Sequence, residues 1–236
     1  MTSLQSQALP NQRPTVALVT AGPTEEPIDA VRFLSNRSSG RMGIAIAQAL
    51  VDRGIEVILA LGPVRNPPAA AVLEGQPHLQ VLRYGSAGEL ETLLRSELPK
   101  ADLVVMAAAV ADFRPRQQHH EKLRRTDQGM TLELEPVPDL LATTRDARKL
   151  GAAVYGFALE PRERLERSAL EKLTRKDLAG IVANPLETME SPDIDGVLFL
   201  RDGSIASPGK PLTKEAFAAW LSERLLCGLS PCTAHA

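Results

Sequence analysis

Residues 39–62 read SGRMGIAIAQALVDRGIEVILALG, and the two halves follow two different periods. The first, GRMGIAIAQALVDRG, is a helix ended by Gly54, since glycine suits the left-handed residue just past a helix C-terminus. The second, IEVILALGP, is an apolar, β-branched run closed by Gly62-Pro63, which marks a buried strand. Just upstream, TVALVTAG (15–22) is another buried strand stopped by Gly-Pro. Strand, helix, strand in this order is the repeating unit of an α/β sheet.

The rest of the chain continues the alternation. LQVLRY (79–84), ADLVVMAAAVADF (101–113), GAAVYGFALE (151–160), LAGIVAN (178–184) and GVLFL (196–200) are apolar strands. SAGELETLLRSEL (86–98), with Ser86 as its cap, and PDLLATTRDARKL (138–150), with Pro138 in its first turn, are helices. PRERLERSALEKLTRKD (161–177) and TKEAFAAWLSERLL (213–226) are two more. The expected fold is a Rossmann-like, three-layer α/β domain with a mostly parallel central sheet. A polar, basic stretch, RPRQQHHEKLRRTDQG (114–129), interrupts the pattern, and MTLELE (130–135) follows as a short strand. Two antiparallel strands are expected to flank it.

Bulk properties narrow the function. The 236 residues carry 27 Lys and Arg against 29 Asp and Glu, a net charge of -2. That balance argues against a nucleic-acid or membrane-surface protein. One domain at residues 15–227 is expected, between a flexible segment (1–14) and a C-terminal tail (228–236). MTSLQSQALPNQRPT has no apolar core of a secretory signal, and no run approaches the ~20 apolar residues that span a bilayer. A cytoplasmic protein follows. Cys227 and Cys232 are too few for a disulfide framework; a reduced tail is the plain reading, and a metal site with His235 the alternative.

In such sheets ligands sit beyond the carboxyl ends of the strands. The stretch TAGPT (20–24) and the helix start at Ser38-Ser39-Gly40 both point there. A helix N-terminus has unpaired N–H groups and roughly +0.5 charge, so an anion, above all a phosphate, suits it. Ser38 and Ser39 add hydroxyls, and Gly40 and Gly43 allow close backbone approach. The alternative is a helix start capped by its own serines, with the glycines serving packing. A dinucleotide site is the other candidate, as in NAD(P)-binding short-chain dehydrogenases. However, the helix glycines lie some twenty residues after the first strand, and the second strand ends in Leu61-Gly62-Pro63 with no acid for a ribose. Tyr84 and Tyr155 have Gly88 and Leu159 four residues on, not lysine.

TAGPTEEPIDAVRFLSNRSSGRMG (20–43) resembles the signature of the phosphopantothenoylcysteine synthetases, the phosphopantothenate–cysteine ligases of coenzyme A biosynthesis. MAAAVADFRP (106–115) and GFALE (156–160) followed by EKLTRKDLAGIVAN (171–184) are similar to two further family signatures, in the family's order. After Asn184 the chain departs: Pro185 replaces the family's Asp, and ETMESPDIDG (187–196) replaces a Phe-containing loop. The flavin-dependent decarboxylase domain fused ahead of many bacterial members has no counterpart in the sequence; a separate decarboxylase is a possible partner, and a non-catalytic partner of such an enzyme is another reading.

The resemblance implies a reaction and its residues. The carboxylate of 4'-phosphopantothenate attacks the α-phosphate of CTP (ATP is the second choice), giving an acyl-cytidylate and pyrophosphate; the amine of L-cysteine then displaces CMP. Asn36, Arg32 and Lys122 match catalytic positions, Lys122 on a flap over the site. Ala107, Ala108, Asp112, Lys122, Pro138, Asp139, Phe157, Lys172 and Lys176 match nucleotide contacts, with Mg²⁺ as the accompanying ion and its ligands unknown. Gly22, Ser38, Ser39 and Gly40 are assigned to a substrate anion. Lys172 and Lys176, four apart on one helix, share a face, and an anion between them would relieve their repulsion. For each residue a plain reading stands beside this: a loop-stabilising Asn36, a surface ion pair for Arg32, a solvated charged loop around Lys122, a core Phe157, and lysines softened by Glu171 and Asp177. Members of the family are commonly dimers, so a homodimer through an extended flap segment is expected.

Overall fold

The structure, a computed structural model, describes residues 15–64, 75–125, 127, 129–189, 191–227 and 229. Eight strands form the central sheet: β1 (Val16–Ala21), β4 (Glu56–Leu61), β5 (Leu79–Arg83), β6 (Leu103–Met106), β9 (Ala153–Glu160), β10 (Gly180–Pro185), β12 (Val197–Leu200) and β13 (Ile205–Ala206). Their order is β13-β12-β10-β9-β6-β1-β4-β5. The six from β10 to β5 run parallel, while β12 and β13 pair antiparallel at one edge. This is the expected Rossmann-like sheet, with an antiparallel extension.

Helices cover both faces: α1 (Arg41–Val51) and α5 (Lys214–Cys227) on one, α2 (Ala87–Glu97) and α4 (Leu165–Arg175) on the other. The period of two in the strands builds both cores at once. Val19, Leu59, Val105 and Val182 meet Leu50 of α1 and Phe217 and Leu221 of α5. Their chain neighbours Leu18, Ile58, Val104 and Ile181 meet Leu90 and Leu94 of α2 and Leu173 of α4. Each of these four strands is buried on both sides, which is why they read as unbroken apolar runs. Ser86 caps α2 as expected, accepting from the Glu89 N–H at 3.3 Å.

Two elements differ from their sequence reading. The helix expected at 138–150 is only a turn, α3 (Leu140–Thr143), followed by a 3-10 turn at Arg145–Ala147. Asp139, not Pro138, starts it: the Asp139 carboxylate accepts from the Leu141 N–H at 3.2 Å, and Pro138 lies before the cap. The strand in ADLVVMAAAVADF stops at Met106, and only an isolated parallel bridge between Pro23 and Ala109 continues its pairing with the chain after β1. The expected pair around the polar stretch is present, as β7 (Phe113–Pro115) and β8 (Leu134–Pro136), antiparallel. A second small hairpin, β2 (Glu26–Pro27) with β3 (Phe33–Leu34), fills the long connection between β1 and α1. Near the C-terminus β11 (Asp193–Ile194) pairs with β14 (Leu212–Thr213), just ahead of α5.

The parallel order reverses between β1 and β6, since β4 and β5 follow β1 on one side and β9 and β10 follow β6 on the other. Such a switch point opens a crevice at the carboxyl ends of the strands.

Candidate active site

A cavity of about 650 Å³ occupies that crevice. Its walls are the start of α1, the chain after β6, the turn before α3, the ends of β9 and β10, and one face of α4. The volume is that of a small-molecule or nucleotide site.

Its floor is a seam between the loops that follow β1 and β6. Ala109 N–H donates to the Gly22 carbonyl at 2.9 Å, and Thr24 N–H donates to the Ala109 carbonyl at 3.3 Å. Side chains reinforce the seam: Thr20 Oγ1 accepts from the Ala108 N–H and Thr24 Oγ1 from the Ala111 N–H, each at 3.0 Å. Asn36 closes it, with Nδ2 donating to the Ala109 carbonyl at 2.6 Å and Oδ1 accepting from the Ser38 N–H at 3.0 Å. Asn36 is therefore both a loop tie and a cavity wall. An amide nitrogen has two hydrogens, and one bond leaves the second for a ligand.

Glycines bring α1 onto β1. A Cβ on Gly43 would lie 2.6 Å from Ala21 Cβ and 2.8 Å from the Thr20 carbonyl oxygen. Gly40, with φ +72°, is the residue before the helix, and a Cβ there would lie 3.2 Å from Gly22 Cα and closer still to Val64. Among the described residues no side chain caps the first turn of α1; Ser38 Oγ accepts from the Gly40 N–H, at 3.4 Å. The self-capped reading of this junction thus gives way to a helix start whose N–H groups border the cavity. The tip of β4 is filled differently. A Cβ on Gly62 would lie 2.2 Å from the Pro23 carbonyl oxygen and 2.9 Å from the Tyr84 ring, so a protein side chain, not a ribose, occupies that corner. Burial pushes the Tyr84 hydroxyl well above its ordinary value, and it stays protonated to donate to the Ala21 carbonyl at 2.9 Å.

Most of the expected residues meet at this cavity: Asn36, Ser38, Ser39, Gly40, Ala107, Ala108, Asp112, Pro138, Asp139, Phe157, Lys172 and Lys176 all line it. Each of the two lysines is paired with a carboxylate. Lys172 Nζ donates to Glu160 Oε1 at 2.6 Å, and Lys176 Nζ lies 3.0 Å from Asp139 Oδ2. Glu171 and Asp177, read as their softening charges, are engaged with Arg167 and Arg201. Lys172 also holds the Glu160 carboxyl below its ordinary value, with Ser168 assisting.

Gly22, Arg32 and Lys122 lie off the wall. Gly22 supports Gly40 from beneath. Arg32 forms a two-pronged ion pair with Asp29, whose carboxylate it holds well below the usual range. Asp29 is buried and also accepts from the Leu123 N–H at 3.0 Å, while Arg32 donates to the Leu123 carbonyl at 3.0 Å. His119 N–H donates to the Ile28 carbonyl at 3.0 Å. The Asp29–Arg32 pair is thus the anchor of the segment that carries Lys122, itself exposed.

Sequence reasoning missed Arg41, Arg175, Asn184, Thr188 and Lys214 on the same walls. Helical spacing could have found Arg175, three after Lys172. Asn184 Nδ2 donates to Thr188 Oγ1 at 2.7 Å, so the segment where the chain departs from the family pattern forms part of the wall. Lys214 carried no local signal. No group of three His, Cys, Asp or Glu that could hold a metal occurs among the described residues. Cys227 is exposed at the end of α5, while Cys232 and His235 lie outside the described residues. No helix is long and apolar enough to cross a membrane, among the described residues.

Comparison with known proteins agrees with the fold. A family model described as the DNA/pantothenate metabolism flavoprotein C-terminal domain matches residues 13–227. A crystal structure of the C-terminal domain of the coenzyme A biosynthesis bifunctional protein CoaBC is similar, with a TM-score of 0.72 and 34% identity over 89% of this chain and 93% of that one. Among curated proteins, CoaBC of Bacillus subtilis is 39% identical over 170 residues, 72% of this chain and 40% of its own length. A protein of an unknown prokaryotic organism named cysteine/cysteine sulfinic acid decarboxylase is 40% identical over 169 residues, 72% of this chain and 45% of that one. The chain spans under half the length of these curated relatives.

Proposed function

From the premise that this chain belongs to the family of DNA/pantothenate metabolism flavoprotein C-terminal domains, the family of the phosphopantothenoylcysteine synthetases, we propose that it is a phosphopantothenate–cysteine ligase of coenzyme A biosynthesis. It joins 4'-phosphopantothenate to L-cysteine, with CTP as the activating cosubstrate, and works in the cytoplasm. The observation that carries this reading is one cavity in which an amide donor, an open helix N-terminus and the cations of α4 converge.

A carboxylate must become an electrophile before an amine attacks it. In the first step the carboxylate oxygen attacks the α-phosphorus of CTP and pyrophosphate leaves. Both reactants are anions, so the site must lower their repulsion with positive charge held in place beforehand. Lys172, Arg175 and Lys176 stand on one wall for this, Lys172 and Lys176 held by Glu160 and Asp139. Lys122, on the tethered segment, is the clamp that joins them when the triphosphate is present. Ala107, Ala108 and Phe157 give the nucleotide a wall without bulky polar groups.

In the second step the cysteine nitrogen attacks the acyl carbon, the carbonyl oxygen gains charge, and CMP departs. The remaining N–H of Asn36 is the donor for that oxygen. Ser38, Ser39 and the N–H groups beyond Gly40 take an anionic part of a substrate.

Mg²⁺ fits beside the triphosphate, since it takes one or two carboxylates together with phosphate oxygens. Asp112 is the cavity carboxylate whose side chain makes no hydrogen bond or ion pair among the described residues. Bound there, the ion would supply neutralising charge to the phosphates.

The second copy of a homodimer would cover the two small hairpins. Phe33 of β3, Phe113 of β7 and Leu134 of β8 are exposed, and the polar segment between β7 and β8 extends from them. Sedimentation showing a monomer at micromolar concentration would remove the dimer. A separate decarboxylase acting on the product belongs to the same reading.

The direct test is pyrophosphate release by purified protein with Mg²⁺ and 4'-phosphopantothenate, with CTP and ATP in parallel. Release that depends on the acid, and amide formation on adding L-cysteine, is the expected result. No release with either nucleotide from folded protein overturns the proposal.

A further inference from the structure

Lys214 opens α5 and is 7% exposed, yet it lines the cavity. Its ammonium makes no ion pair or hydrogen bond among the described residues; only its main-chain N–H is engaged, with the Pro192 carbonyl at 3.1 Å. The cavity's other lysines differ in this respect, since Lys172 and Lys176 each hold a carboxylate. A mostly buried lysine whose ammonium has no partner gains from an anion that supplies the opposite charge.

Its charged neighbours supply it only in part. Arg41, the first residue of α1, adds a second positive charge, and Glu215, which compensates, is exposed and 3.4 Å from the Arg41 guanidinium. Burial and Arg41 together push the Lys214 ammonium below its ordinary value. On the same wall is the start of α1, eleven residues long, whose first N–H groups no side chain caps among the described residues. Gly40, Arg41, Met42 and Gly43 all border the cavity there. An unpaired ammonium, a guanidinium and an open helix N-terminus therefore border the same cavity.

We propose that Lys214 is a phosphate-binding residue, which with Arg41 and the N-terminus of α1 holds a phosphoryl group at a second anion subsite of the cavity. A tetrahedral dianion meets all three donors, as a planar neutral group would not. The inference rests on the ligase reading only in naming the sources of that group: the triphosphate of the nucleotide, or the phosphate of the phosphorylated acid.

The test is calorimetric titration of the wild type, Lys214→Met and Lys214→Arg with pyrophosphate, CTP, 4'-phosphopantothenate, unphosphorylated pantothenate and L-cysteine. Lys214→Met is expected to lose at least about tenfold in affinity for a phosphorylated ligand, the size of one charge-assisted hydrogen bond, with pantothenate unaffected. Lys214→Arg is expected to retain most of it. Loss for CTP and pyrophosphate assigns the subsite to the nucleotide; loss for 4'-phosphopantothenate alone assigns it to the acid. Without ligand, Lys214→Met is expected to melt no lower than the wild type, since it removes an unpaired charge and keeps a side chain of similar length.

Equal affinities of wild type and Lys214→Met for all three phosphorylated ligands overturn the inference, and so does a loss confined to L-cysteine, which would make Lys214 a carboxylate partner. The two proposals fail separately. Lys214-dependent pyrophosphate binding without turnover would sink the ligase and keep the subsite. Turnover with unchanged phosphate affinity in Lys214→Met would do the reverse.

Discussion

Asn36 Nδ2 donates to the carbonyl oxygen of Ala109 at 2.6 Å, joining the loop before α1 to the loop after β6, 73 residues later in the chain. Any substitution at Asn36 therefore acts on both the seam and the chemistry. Asn36→Asp places a carboxylate oxygen opposite a carbonyl oxygen and removes the remaining donor. Turnover is expected to fall by about 10²–10³, the usual size of losing one oxyanion donor. Rapid-quench analysis should show acyl-nucleotide accumulating while circular dichroism keeps its native form. Normal turnover in the folded variant would leave Asn36 a loop tie only.

The α4 wall makes a second prediction. Lys176→Met leaves Asp139 capping α3 but removes its ion pair, and Lys172→Met does the same to Glu160. Each is expected to weaken nucleotide binding about tenfold, with cytidine bound as before. Calorimetry with CTP and cytidine separates a phosphate contact from a general loss of structure. Equal losses for both ligands would point to damage in the fold.

Asp29 sets a pH dependence. Its carboxyl is held well below the usual 3.8 by the Arg32 guanidinium, with the Val31, Arg32 and Leu123 N–H groups adding to the effect. A carboxyl lowered on folding adds stability in full above its unfolded value, and that contribution fades as pH falls below about 3.8 toward the folded one. Asp29→Asn is expected to be less stable than the wild type at pH 7, with the difference shrinking as the pH drops into this acid range. Urea titrations from pH 7 downward measure it. The same variant should let proteases cut residues 114–129 faster, since Leu123 loses its tie. A constant stability difference across the acid range would contradict the assignment.

Two glycines offer a packing test. Gly43→Ala drives a methyl to within 2.6 Å of Ala21 Cβ and is expected to cost about 1–3 kcal/mol by overpacking. Gly54, at φ +73° with nothing within 4 Å of a built Cβ, should lose only the backbone term of about 1–2 kcal/mol on Gly54→Ala. Nucleotide affinity distinguishes them further, because Gly43 borders the cavity and Gly54 does not. Equal affinity losses in the two variants would rule out a local role for Gly43.

The residues legible in advance were those with a local reason to be where they are. Ser86 caps α2 because its hydroxyl needs only its own helix start. The small residues after Met106 and the Ser38-Ser39-Gly40 start lie at strand and helix ends, and strand ends of an α/β sheet converge. The Lys172–Lys176 pair was legible as a shared face, but its partners were not. Glu160 ends β9 and Asp139 precedes α3, and no spacing along the chain connects either to α4.

The sequence alone determined the alternating elements, the doubly buried strands and the family, since each rests on short-range pattern: period, punctuation and an ordered set of signatures. Only the tertiary structure decided the rest. It placed Arg32 on Asp29 instead of on the cavity wall, cut the expected 138–150 helix to one turn, and filled the tip of β4 with Pro23 and Tyr84. It also brought Lys214 from the last helix to the start of the first. The physical reason is common to all four. Charge pairing and burial depend on distance in space, and that distance is fixed by how the β1–β6 switch point folds the chain together, not by separation along it.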